Sequence, residues 1–175
     1  MSDSKKKSIL QQYMQFNELQ AKKIQEEKIK AKELYNQIIT HPLIRQASES
    51  HFKNEKYRSA VLDAMVQFEQ MVKNKAKNPK NDRGDELSGA SLMRHVFNYT
   101  HPILSWSNTD CQTGKDELEG YMHIMAGAMI GIRNPKAHAI FEINPIRAVK
   151  LLTLATLLAE LVDASKYVKA DTGIK

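Results

Sequence analysis

A chain of 175 residues with 42% hydrophobic content is long enough to bury one real core and too apolar to be a disordered protein. Its formal net charge of +6, from 26 Lys and Arg against 20 Asp and Glu, favours an anionic partner such as RNA without selecting one. The single cysteine, Cys111, excludes an internal disulfide and fits a reducing cytoplasm, and with no CxxC or HExxH spacing among the six His neither a metal site nor a cofactor is expected.

The amino terminus opens on a polar, Lys-rich run with no apolar signal core, so a cytoplasmic protein is expected. Residues 8–39 contain no Gly or Pro and place Ile9, Tyr13, Phe16, Leu19, Ile24, Leu34 and Ile38 mostly three or four apart, which predicts a long helix. Gln20 and the Glu26-Glu27-Lys28 cluster interrupt its apolar stripe, so a sustained heptad coiled coil does not follow, and residues 1–40 read as a helical arm packed on the domain. Thr40-His41-Pro42 supplies a cap and a proline for the first position of a second helix, reaching about His51, with a turn near Asn54. From Tyr57 to about Lys75, Ala60, Val61, Ala64, Met65, Phe68, Met71 and Val72 form the apolar face of a core helix.

The stretch that follows carries Lys73, Lys75, Lys77, Lys80 and Arg83 against one acid, Asp82, with Pro79 and Gly84 marking a loop. It is a candidate phosphate-contacting patch, although a solvated basic loop without interleaved aromatics is the commoner outcome. A short helix is predicted over Gly89 to Asn98 with Leu92, Met93, Val96 and Phe97 inward, then an irregular loop over 99–114. Lys115 to Ile132 reads as a helix with Asp116, Glu117 and Glu119 in its first turn, where the dipole favours acids. Gly127 and Gly131 suggest a tight packing face or a dimer seam, while the twelve-residue apolar run from Tyr121 is too short to span a bilayer. Pro145 opens a last, leucine-rich core helix through about Lys169. With strand signals nearly absent, the fold is predicted all-α, with a helical domain over 41–170 and a short tail, 171–175.

Between those last two helices lies Arg133-Asn134-Pro135-Lys136-Ala137-His138. Arg carries a permanent charge able to fork onto a phosphate, and His exchanges a proton near neutral pH. In a straight helix the two side chains would point ~140° apart, but Pro135 biases Asn134 out of the helical region, so one helix is predicted to end near Arg133 and a bent segment to carry His138. By itself this spacing is also common chain punctuation at a helix boundary.

The hexapeptide resembles the Arg-x(4–6)-His signature of the HEPN (higher eukaryotes and prokaryotes nucleotide-binding) superfamily, including its polar residue after the Arg. The run from His41 to about Ser165 resembles the bacterial Ymh-type branch, through His41-Pro42-Leu43-Ile44, Gly114-Lys115-Asp116-Glu117-Leu118-Glu119-Gly120 and Gly127-Ala128-Met129-Ile130-Gly131-Ile132-Arg133-Asn134-Pro135. The resemblance implies a HEPN-like helical bundle and a metal-independent endoribonuclease of a bacterial toxin or antiphage (abortive infection) system, its composite site formed where two subunits meet. His138 would then be the general acid or base or position the 2′-hydroxyl, Arg133 would stabilise the phosphorane, and Asn134 would orient either. Lys136 would add a diffuse cationic contact, and Glu119 is a secondary candidate for holding an Arg or His, set against a plain role at its own helix dipole. The other function class is a non-catalytic helical module that binds nucleotide or protein, with the arm engaging an antitoxin, a reverse-transcriptase-type protein or an ATPase.

Overall fold

The computed structural model describes residues 3–134 and 142–168, and among them the chain is an all-α bundle with a single two-stranded sheet. The helices are α1 (Asp3–Ile38), α2 (Pro42–Lys53), α3 (Tyr57–Lys75), α4 (Gly89–Val96), α5 (Gln112–Ala128) and α6 (Pro145–Ala164). A π-helical turn, Met129–Arg133, continues α5. The strands are β1 (Leu104–Ser105) and β2 (Lys166–Tyr167), paired antiparallel with Leu104 opposite Tyr167.

Helix α3 is the centre of the bundle, contacting α2, α4, α6 and the π turn. Its predicted apolar face is the buried one: Ala60, Val61, Ala64, Met65, Phe68, Met71 and Val72 all lie in the core. Around it pack Leu92, Met93, Val96 and Phe97 of the α4 segment, Leu118, Met125 and Met129 of the α5 segment, and Leu152 and Leu158 of α6. Burying this continuous apolar surface is the main stabilising term. Only the carboxyl-terminal end of α1 joins it, through Ala31, Tyr35 and then Ile39. Tyr35 stacks on Phe52 with centroids 4.3 Å apart and shares a 2.8 Å hydrogen bond with Ser48, which fastens α1 to α2.

Pro145 occupies the first turn of α6 as expected, behind Asn144, whose Oδ1 accepts the Arg147 N–H at 2.7 Å. The last two helices differ in their boundaries from the sequence reading. The last helix stops at Ala164 rather than near Lys169, because Ser165 turns extended and the next two residues pair with β1. Helix α5 starts at Gln112, so Asp116, Glu117 and Glu119 lie beyond its first turn and the dipole argument for them lapses. Gly114 is buried there so tightly against the Asn108 carbonyl that no Cβ fits. Gly127 and Gly131, by contrast, are exposed, and a Cβ on either would meet none of the described residues within 4 Å, so neither is needed for close packing of the described helices.

Candidate active site

The helical backbone of α5 leaves α geometry just before the signature arginine. The Asn134 N–H reaches the Met129 carbonyl at 3.1 Å, five residues back, which closes a π turn, a form frequent at functional sites. Asn134 then departs from helix (φ −101°, ψ 49°), as a residue preceding proline is pushed to do. The helical run therefore ends at Arg133, leaving that side chain at the mouth of the turn.

Its guanidinium is held from two sides. One nitrogen, Nη1, donates to Asn134 Oδ1 at 3.1 Å, and Nη2 lies 3.0 Å from Glu69 Oε2 as an ion pair whose angle falls short of a directed hydrogen bond. The Glu69 side chain is 5% exposed and that of Arg133 32% exposed, so the carboxylate is interior and the arginine reaches outward from it. The other carboxylate oxygen, Oε1, accepts the Gly89 N–H at 2.9 Å and has Lys73 Nζ at 3.9 Å. Gly89 sits at the first position of α4 with φ 57°, and the N-cap residue Ser88 makes no side-chain cap. Glu69 thus caps α4 from a neighbouring helix, placing negative charge where the helix dipole favours it.

This carboxylate carried a signal in the sequence that periodicity alone does not pick out. Met65, Glu69 and Lys73 are four apart on α3, and Glu69 falls between Phe68 and Val72 on the apolar face. An acid on a buried face requires a cation or hydrogen-bond donors beside it. Glu119, the acid singled out from sequence, lies instead on the outer part of α5, 3.8 Å from His123 Nε2 and half-exposed.

His138 and Lys136 lie outside the described residues. Of the basic stretch, Lys73 faces Glu69, and Lys75 Nζ donates to the Val162 and Asp163 carbonyls at 2.8 Å each, capping the end of α6. Lys77 Nζ sits 4.5 Å above the Tyr167 ring. Lys80 and Arg83 remain exposed on the loop. The five cations therefore divide between bracing the bundle and facing solvent, rather than forming one free patch. A cleft of about 540 Å³ lies between the start of α3 and residues 142–145, and Arg133 is not among the residues lining it. Among the described residues no three His, Cys, Asp or Glu side chains are grouped to hold a metal ion, and no helix is long and apolar enough to cross a membrane.

These features define a small all-α protein whose central helix buries a carboxylate to hold an arginine at a helix end. Residues 39–162 match the model of the family described as Protein of unknown function (Hypoth_ymh), and the chain belongs to that family. The matched span begins at Ile39, the last residue buried from the arm side. No curated protein and no solved structure matches the chain.

Proposed function

We propose that this protein is a metal-independent endoribonuclease of the HEPN type, an effector in a bacterial toxin or antiphage system acting in the cytoplasm. The observation that carries the reading is Arg133, fixed by Glu69 and Asn134 at the end of a π turn with a third of its side chain still open to solvent. A guanidinium has five donors, and those not used by Glu69 and Asn134 are available to a phosphate. Five positions on, the sequence supplies His138.

In this reading a base takes the 2′-hydroxyl proton of a ribose, and that oxygen attacks the adjacent phosphorus in line. The P–O5′ bond breaks, and an acid protonates the departing oxygen. Arg133 stabilises the charge gathered on the phosphorane, and His138 handles one proton. A two-fold dimer brings a second His138 to the same cleft for the other, and leaves a 2′,3′-cyclic phosphate on the product. The resemblance of the hexapeptide supports the dimer and the biological setting.

One observation favours a second reading, a non-catalytic nucleotide- or protein-binding module: an arginine paired to a buried carboxylate is also how a purely structural arginine looks. Purified protein incubated with total RNA in chelator separates the two. Cleavage is expected, falling ~10²-fold or more in Arg133→Ala and His138→Ala. Arg133→Lys keeps a cation for Glu69 while losing the planar fork, so it should melt near wild type yet cleave poorly. Cleavage unaffected by all three substitutions, or abolished by chelator in the wild type, would overturn the proposal.

A further inference from the structure

Helix α1 runs well past the domain it belongs to. At its carboxyl end Ala31, Tyr35 and the following Ile39 are buried against the bundle. Stepping back along the same face by three and four residues gives Ile24, Ala21, Asn17, Met14, Tyr13 and Leu10. These carry the same face on past the Glu26-Glu27-Lys28 cluster, and none of the described residues covers them: Leu10 is 59%, Tyr13 62%, Met14 55% and Ile24 53% exposed. A helix has little reason to extend a core-facing stripe over a further 14 residues, about 21 Å, unless something packs on it.

We infer that the occupant is the α1 arm of a second copy of this chain, laid antiparallel. Orientation follows from sterics. The bundle buries this face of α1 from Ala31 onward, so two arms running in the same direction would force both bundles into the space between the helices. Head to tail about Asn17, Ala31 falls opposite Asp3 of the other copy, so each bundle sits at the other arm's amino-terminal end. A two-fold axis at Asn17 sets Leu10 against Ile24 of the other copy, Tyr13 against Ala21, and Met14 against the aliphatic stem of Gln20. Asn17 faces its own equivalent on the axis, where an amide can pair with itself and fix the register.

With four large side chains per copy, each covering roughly 100 Å², the paired arms bury about 800 Å² before flanking residues are counted. That is at the weak end of specific interfaces, so the association should depend on concentration in the micromolar range. It is independent of the composite nuclease cleft, and the two surfaces together would link copies into larger assemblies.

Disulfide trapping in the full-length chain carrying Cys111→Ser tests the register directly. Asn17→Cys should cross-link to itself. Leu10→Cys and Ile24→Cys should each fail alone and cross-link when mixed. Adding Glu at Leu10 and Ile24 in the Asn17→Cys chain should abolish trapping while circular dichroism stays helical. Self-linking by Leu10→Cys would mean parallel arms, and no linking by Asn17→Cys at 100 μM would mean the stripe serves another partner; either result overturns the inference, whatever the outcome for RNA cleavage.

Discussion

If Glu69 both caps α4 and anchors Arg133, the two residues must be thermodynamically coupled, and the size of the effect follows from their burial. Glu69→Ala deletes a charged acceptor from the Gly89 N–H, a bond worth about 1.5–3 kcal/mol, and strands that donor. The lost ion pair adds less than the 3–5 kcal/mol of a fully buried pair, because Arg133 is a third exposed and can turn to water, so about 1 kcal/mol is the reasonable share. A total near 3 kcal/mol would lower the melting temperature by about 6–12 °C in a chain of this length. Glu69→Gln keeps an acceptor for Gly89 and should cost only about 1 kcal/mol. Combined with Arg133→Ala it should then cost less than the sum of the two single changes, by about 1 kcal/mol. Urea unfolding of the four proteins in this cycle measures that difference. Additivity within ~0.3 kcal/mol, or a Glu69→Ala protein melting within 2 °C of wild type, would refute the coupling.

Lys75→Met should cost about 1–2 kcal/mol and speed amide exchange in the last turn of α6, because its ammonium serves two carbonyls there. If the protein binds RNA as proposed, Lys80→Ala with Arg83→Ala should weaken that binding while leaving the melting temperature alone, and unchanged binding would show that the loop does not contact RNA. Burial of Tyr35 pushes its phenol above the ordinary value, outweighing the Ser48 hydrogen bond that pulls the other way. The neutral form is then retained in the folded state above pH ~10 while the unfolded chain ionises, so Tyr35 contributes stability that is intact below that pH and is lost as pH rises through the folded pKa. Tyr35→Phe should flatten the alkaline limb of a stability-against-pH curve, and an unchanged slope would contradict this assignment.

The helices were legible because each carries its own periodicity: α3 and the inward residues of the α4 segment follow it closely. What the chain pattern hid were arrangements that need two distant segments at once. Residues 166–167 read as helix until β1 is there to pair with them, and the start of α5 depends on Gly114 meeting Asn108. The site was half legible for the same reason. Arg133 announces itself through the proline two positions on, whereas its partner Glu69 lies 64 positions earlier, and only the packing of the π turn on α3 joins them. The basic stretch misled in the opposite sense, since counting charges does not reveal that Lys75 is spent on the end of α6.

An arginine meant for a phosphate gains from being held still, but a carboxylate alone would cancel its charge. Lys73 resolves this conflict. It lies 3.9 Å from Glu69 Oε1, so Glu69 is shared between two cations and the cluster keeps one net positive charge. In the proposed ribonuclease reading, the carboxylate supplies orientation and the second cation restores a field able to attract a polyanion. Lys73→Met should therefore weaken RNA binding and reduce the slope of log affinity against log salt by about one unit. Stability should fall only modestly, because Glu69 retains both Arg133 and the Gly89 N–H. A large loss of stability with an unchanged salt slope would show instead that Lys73 serves only to neutralise the carboxylate, leaving Arg133 as the sole charge of the cluster directed at RNA.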